Sequence, residues 1–191
     1  LINAIQAAND DLRQLARQHG RGGYMATTMV AAAIRANHAL IANVGDSRGY
    51  HISNGQIRQI TSDHSLVAQL VAEGAITAEE AIVHPRRNVI LASLGPTRDP
   101  RIDLFEVALD DGDALLLCSD GLTRYLADEE IAGIVRGMSP DDATTRLIAL
   151  ANARGGSDNI SVALIQVGAP PVGIMPVAVT PVGAALAAPP A

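Results

Sequence analysis

Aromatic residues are scarce in this sequence: its 191 residues include three Tyr, one Phe and no Trp. Proteins that bind nucleic acid by base stacking need aromatic side chains, and these are too few. The net charge of −6 also provides no positive surface to attract phosphate backbones. The composition therefore argues against nucleic acid as a partner, and it requires a core built from Val, Leu, Ile and Ala.

Cysteine is almost absent as well, since Cys118 is the only one and lies in an apolar run. A lone buried thiol excludes an intrachain disulfide and suits the reducing cytosol. No secretory signal is visible, because the first residues mix Asn3, Gln6 and Asp10 into a helical pattern. We therefore expect a cytoplasmic protein. Leu1 in place of Met fits a chain that begins within a domain.

Charge is absent from the end of the chain, where residues 168–191 hold six of the ten prolines. Pro176 and Pro181 interrupt every apolar window of about 20 residues, the length that a membrane-spanning helix needs. We therefore predict a flexible tail rich in Pro, Ala and Val rather than a membrane anchor. The remaining residues, 1–167, are expected to form one domain.

Hydrophobic periodicity predicts helices and buried strands over residues 1–167. Helices are predicted at residues 1–18, 65–73, 128–136 and 140–153, with a short one after the capping box at Thr77. Strands are predicted at residues 27–34, 39–44, 48–52, 56–60, 102–107, 114–118 and 160–167. The Asn54-Gly55 pair predicts a tight hairpin between two of them.

Three aspartates share one context, in which a buried strand meets a glycine-containing turn. Asp46 and Asp120 each follow a strand, and Asp158 precedes the last one. A cluster of carboxylates needs a compensating charge, and Mg²⁺ or Mn²⁺ suits such oxygen ligands. Because Asp beside Gly is also ordinary turn chemistry, the pattern alone leaves both interpretations open.

No other catalytic motif stands out. The sequence lacks a P-loop, a Gly-x-Ser-x-Gly elbow and the His or Cys pairs of a zinc site. Cys118 is expected in the core rather than as a nucleophile. His64 and His84 are expected to be structural or solvated.

Five sequence blocks, in order, resemble the PPM (2C-type) metal-dependent protein serine/threonine phosphatases of bacterial type. They are TT at 27–28 with ANVGDSR at 42–48, TSDHS at 61–65, HPRRNV at 84–89 with LG at 94–95, LCSDGLT at 117–123, and GGSDNISV at 155–162. No single block is decisive, but the ordered set is highly specific and covers roughly residues 25–167.

The resemblance implies an α+β fold, a PPM-type β-sandwich flanked by α-helices in four αββα layers and incomplete at its N-terminus. It implies that a water activated by two Mn²⁺ or Mg²⁺ ions hydrolyses phosphoserine and phosphothreonine in proteins. Phosphoproteins and a cognate serine/threonine kinase are the expected partners. Residues 62–95 would form a flap that shapes substrate access.

The same resemblance implies roles for individual residues. Asp120 and Asp158 would hold one catalytic metal, and Asp46 would share a third, weaker site with Asp120. Asn159 would orient a carboxylate. The supporting positions next to the ligands are Ser119, Gly121 and Asn159.

Two departures from the family pattern affect the expected activity. The opening strands of the family carry a phosphate-binding Arg and further metal ligands, and they have no counterpart here. No catalytic residue is therefore assigned, and the chain as given is expected to be inactive. Arg124 stands where the family usually has another Asp, so the third ion is expected to be weak or absent. The alternative function is a non-catalytic module that binds phosphoproteins.

Overall fold

The computed structural model describes residues 1–18 and 25–168. Its helices are α1 (Ile2–Gln18), α2 (Leu66–Ala72), α3 (Ala78–Val83), α4 (Asp120–Thr123), α5 (Asp128–Gly137) and α6 (Pro140–Ala153). Its strands are β1 (Met29–Arg35), β2 (His38–Val44), β3 (Arg48–Ser53), β4 (Gln56–Gln59), β5 (Asp103–Ala108), β6 (Ala114–Cys118) and β7 (Val162–Gln166). Apart from Gly168, the predicted tail lies outside the described residues.

The strands form two antiparallel sheets that pack face to face. The first sheet has the order β1-β2-β5, and the second has the order β4-β3-β6-β7. Helix α1 packs on the outer face of the first sheet, and helices α5 and α6 cover the outer face of the second. The predicted α+β sandwich with four αββα layers is therefore confirmed.

The hydrophobic core forms three layers, because side chains alternate between the two faces of each strand. One layer lies between the sheets, one between the first sheet and α1, and one between the second sheet and helices α5 and α6. In β2, Ile41 faces the second sheet, whereas Ala42 faces α1. In β6, Leu115 faces the first sheet, whereas Leu116 faces α5 and α6. Because successive side chains of a strand point to opposite faces, one strand contributes to two core layers.

The predicted elements agree with the structure to within two residues at their ends, with one exception. The turn predicted around Asp120 is a short helix, α4, which the buried side chain of Leu122 anchors in the core. The hairpin at Asn54-Gly55 is confirmed, because both residues have the positive φ that a type I′ turn requires. The capping box at Thr77 is also present.

Residues 62–95 join β4 to the segment before β5 and carry α2 and α3. Two hydrogen bonds close the base of this insertion, from Leu66 N–H to the Val89 carbonyl (2.9 Å) and from Leu91 N–H to the His64 carbonyl (2.7 Å). Neither helix buries a residue. The insertion is therefore fixed at its base and exposed beyond it. Its role as a flap stays a prediction.

Across residues 1–18 and 25–168, no helix combines the length and the apolar character needed to cross a lipid bilayer.

Candidate functional site

The segments that carry Asp120 and Asp158 are held together by hydrogen bonds at one end of the second sheet. Ser119 N–H donates to the Ser161 carbonyl, and Ser161 N–H donates to the Ser119 Oγ, both at 3.0 Å. The Ser119 hydroxyl donates to the Asn159 carbonyl, also at 3.0 Å. Because β6 and β7 are neighbours in the sheet, these contacts bring the two predicted ligands together.

Gly121 allows the two segments to approach closely. A Cβ atom at this position would lie 2.5 Å from the Asn159 main-chain oxygen, well inside van der Waals contact. The requirement for glycine is therefore steric, and any larger residue would push the Asp158 segment away from Asp120. Asn159 contributes through its main chain as well, since its N–H donates to Asp158 Oδ1 at 2.8 Å.

Arg124 lies between the two carboxylates. Its Nη2 atom is 2.5 Å from Asp120 Oδ2 and 4.0 Å from Asp158 Oδ2. The side chains are accessible to water and ions, since Arg124 and Asp120 are about a third exposed and Asp158 is 46% exposed. Arg124 therefore forms a close ion pair with Asp120 and lies at the outer limit of ion-pair distance from Asp158.

Asp46 reaches the same region from the turn between β2 and β3. Burial raises the pKa of the Asp46 carboxyl, and the nearby negative charge of Asp120 raises it further. Gly45, at φ +113°, contacts Thr28 so closely that no Cβ fits. The Thr28 and Ser47 hydroxyls are hydrogen-bonded at 3.0 Å. The two parts of the first sequence block, residues 27–28 and 42–48, thus meet beside Asp46.

His64 holds this turn from the other side and is buried. Gly45 N–H donates to His64 Nδ1 at 3.2 Å, so in the neutral ring Nε2 carries the proton and donates to Asp103 Oδ2 at 3.0 Å. The His64 N–H also donates to the Gly45 carbonyl at 2.9 Å. The structural role expected for His64 is therefore confirmed.

Asp63 is acidic and nearby but forms an ion pair with Arg48. Arg48 donates to it from Nε and Nη2, at 3.0 and 2.7 Å. Burial opposes the charge of Arg48, but the hydrogen bonds to Asp63 prevail and raise the pKa of the guanidinium. This pair is a structural contact beside the site.

The loop before Asp158 is fixed by residues that the sequence analysis did not identify. The Tyr125 hydroxyl lies 2.6 Å from the Ser157 Oγ and accepts a hydrogen bond from Ser157 N–H. Arg154 donates to both carboxylate oxygens of Glu130 at 2.6 Å and to the Tyr125 carbonyl at 2.9 Å. These partners lie 24 to 32 positions apart, so no local pattern could have revealed them.

The protein phosphatase 2C family model matches residues 1–164. The chain belongs to the protein phosphatase 2C family. The serine/threonine phosphatase stp of Listeria welshimeri is 41% identical over 167 residues, covering 87% of this chain and 66% of the relative. The protein phosphatase PhpP of Streptococcus pneumoniae is 42% identical over 163 residues, covering 85% and 66%. The chain thus spans 66% of the length of these two curated relatives.

Solved structures of the protein phosphatase 2C family share the fold. The serine/threonine phosphatase PstP/Ppp of Mycobacterium tuberculosis aligns with a TM-score of 0.83 at 35% identity, over 87% of this chain and 71% of that one. A structure of the catalytic domain of PstP in complex with two manganese ions aligns with a TM-score of 0.74 at 33% identity, over 85% and 67%. The resemblance in sequence is therefore confirmed at the level of structure.

The donor set of this protein phosphatase 2C chain suits a hard divalent cation in kind. Asp46, Asp120 and Asp158 offer carboxylate oxygens, which Mg²⁺ and Mn²⁺ prefer. Within the part of the chain that the structure describes, no three His, Cys, Asp or Glu residues are already arranged around one ion position. The Arg124 guanidinium lies next to Asp120, at 2.5 Å.

Proposed function

We propose that this chain acts in a metal-dependent protein serine/threonine phosphatase, which hydrolyses phosphoserine and phosphothreonine with Mn²⁺ or Mg²⁺. The observation that supports the proposal is the convergence of Asp120 and Asp158. A single nitrogen atom of Arg124 lies within 4.0 Å of both carboxylates. A metal ion bound by both aspartates would have carboxylate ligands from two different segments. Membership of the protein phosphatase 2C family fits this chemistry.

Each residue of the site has a defined part in this proposal. A bound Mn²⁺ or Mg²⁺ lowers the pKa of a coordinated water and so supplies a nucleophile for phosphate-ester hydrolysis at neutral pH. Asp120 and Asp158 would hold this ion. The Asn159 N–H fixes one oxygen of Asp158, and the Ser119 hydroxyl keeps the two segments at their spacing. These contacts orient the ligands before the ion binds.

We propose that a third ion, between Asp46 and Asp120, binds weakly or not at all. Arg124 already pairs with Asp120, and a positive charge at that distance disfavours a bound cation. Arg124→Asp should therefore add a Mn²⁺ ion to the stoichiometry measured by calorimetry. An unchanged stoichiometry would show that Arg124 does not control the third site.

The proposed partners are phosphoserine and phosphothreonine proteins and the kinase that produces them. The relatives are named serine/threonine phosphatases, which supports this class of substrate. A cytoplasmic location is part of the same proposal. Cys118 is buried, and burial raises the pKa of its thiol to about 12, which fits a cysteine that stays reduced.

The test is a chimera in which residues 1–164 replace the matching part of the Listeria welshimeri phosphatase. The relative then supplies the third of its length that this chain does not match. The chimera should hydrolyse a phosphothreonine peptide with Mn²⁺. Asp120→Asn and Asp158→Asn should each lower kcat/KM on the order of 10²-fold. Asp99→Asn, at an exposed loop aspartate, is the matched control and should change little. Parent-like activity of either ligand variant would refute the assignment.

A non-catalytic phosphoprotein-binding module remains the second candidate, because Arg124 occupies the carboxylates that a metal would need. This function predicts that the 191-residue chain binds a phosphothreonine peptide equally well with Mn²⁺ and with EDTA. It also predicts that the chimera binds the peptide without turnover. Turnover that depends on Asp120 and Asp158 would exclude it.

A further inference from the structure

Helix α4 aims the Arg124 side chain at Asp120. Arg124 is the C-cap of this helical turn, and its N–H donates to the Asp120 carbonyl at 2.9 Å. Residues four apart on a helical turn lie on the same face, and an acid placed before a base is the favourable order. The local backbone therefore places Arg124 and Asp120 on the same face, which favours their pairing.

The charges around Arg124 have one sign. Asp120 Oδ2 and Asp158 Oδ2 lie 2.5 and 4.0 Å from the Arg124 Nη2 atom. Carboxylates gathered in this way repel one another unless a cation lies among them. The Arg124 guanidinium supplies a positive charge beside these carboxylates.

The Arg124 guanidinium lies beside the two carboxylates that would hold the catalytic ion. Its Nη2 atom is 2.5 Å from Asp120 Oδ2 and 4.0 Å from Asp158 Oδ2. The side chain is 31% exposed, so it has a route into solvent if another cation takes its place. The guanidinium already pairs with an Asp120 oxygen that a metal ion would need, so the two cations compete for this carboxylate.

We infer that the Arg124 guanidinium is a resident cation of the Asp120–Asp158 pair, and that a divalent ion binds these carboxylates only by displacing it. The inference rests on the proposed metal-binding role of the two aspartates. Arg124 stabilises the metal-free site and weakens metal binding. The protein phosphatase 2C chain thus contains an internal competitor that sets the Mn²⁺ concentration at which its site fills.

The experiment measures Mn²⁺ binding to the 191-residue chain, by electron paramagnetic resonance of the free ion and by thermal unfolding with and without Mn²⁺. Arg124→Gln should bind Mn²⁺ roughly 2- to 5-fold more tightly than the parent, the size expected when an exposed ion pair no longer competes. Without metal, the same variant should unfold about 1–3 °C lower, because the carboxylates lose their counter-ion. Tighter Mn²⁺ binding together with a lower unfolding temperature without metal would show that Arg124 stabilises the empty site and competes with the metal.

Two further variants separate charge from other effects. Arg58→Gln removes an exposed arginine of β4 and the same net charge, and it should leave Mn²⁺ affinity within twofold. Arg124→Lys keeps a cation at the site and should bind Mn²⁺ nearly as weakly as the parent. A Lys variant that binds as tightly as Arg124→Gln would overturn the inference.

The remaining outcomes distinguish this inference from the proposed function. One such outcome is that Asp120→Asn abolishes Mn²⁺ binding while Arg124→Gln leaves the affinity unchanged. In that case Asp120 binds the metal, but Arg124 does not compete with it and the inference is wrong. If Asp120→Asn has no effect on Mn²⁺ binding, the proposed metal-binding role of Asp120 and the inference about Arg124 are both wrong. If Arg124→Gln raises KM for a phosphopeptide in the chimera without changing Mn²⁺ affinity, Arg124 is a phosphate ligand and the inference fails.

Discussion

Replacing Gly121 with alanine tests how closely the two ligand segments must approach. The added Cβ would lie 2.5 Å from the Asn159 oxygen, whereas ordinary contact begins at 3.4 Å, so the segments must separate by about 0.9 Å. The clashing atom belongs to the main chain and cannot rotate away. Overpacking of this kind costs about 1–3 kcal/mol. Replacing Gly with Ala also favours the helix, by at most about 1 kcal/mol. This gain is smaller than the upper end of the overpacking cost.

The expected result is a Tm lower by about 2–10 °C, since 1 kcal/mol corresponds to about 2–4 °C in a chain of this size. Because the displacement separates Asp120 from Asp158, Mn²⁺ affinity should fall as well. The assays are thermal unfolding by circular dichroism and Mn²⁺ titration of the 191-residue chain.

The matched control is Gly133→Ala, at an α5 position where a Cβ meets nothing within 4 Å. This change should stabilise the protein by about 0.5–1 kcal/mol, because alanine favours the helix. If Gly121→Ala has a Tm equal to or above that of the Gly133 variant, the argument from close approach is wrong.

Three further predictions follow from contacts around the site. Hydrogen bonds from Arg101 hold the pKa of Asp103 below its ordinary value of 3.8, so Asp103→Asn should lose roughly 1–2 kcal/mol at pH 7. This deficit should begin to shrink in urea unfolding as the pH falls below 3.8 and disappear below the lowered folded-state pKa; an equal deficit at pH 3 would contradict it. Tyr125→Phe removes the hydrogen bonds to Ser157, so the amides of residues 155–158 should exchange faster with deuterium; unchanged protection would contradict this. Burial raises the pKa of Cys118 to about 12, so iodoacetamide at pH 8 should leave the folded chain unmodified, and rapid labelling would show that the strand opens.

Local sequence determined most of the secondary structure. The strand 114–118 was predicted at the bounds of β6, because an unbroken apolar run ends at a polar Ser-Asp-Gly turn. The Asn54-Gly55 hairpin and the Thr77 cap were predicted for a similar reason, since turn and cap chemistry depends on residues a few positions apart. The helices and strands could therefore be predicted without knowledge of how they pack.

The ordered blocks also determined the family and, through it, the layered fold. Neither periodicity nor composition could establish that the two sheets stack or that α1 covers the first of them. Those facts came from the resemblance and are now visible in the three layers of the core. The metal-binding roles of Asp46, Asp120 and Asp158 stay predictions.

Only the tertiary structure decided how the site is assembled. The sequence marked Arg124 as unusual but predicted a turn at Asp120, and the helical turn α4 is what directs one side chain onto the other. The approach of Asp158, which is 4.0 Å from Arg124, depends on the pairing of β6 with β7. The Tyr125–Ser157 contact spans 32 positions. Contacts between distant segments depend on strand pairing and packing, which no local pattern of residues contains.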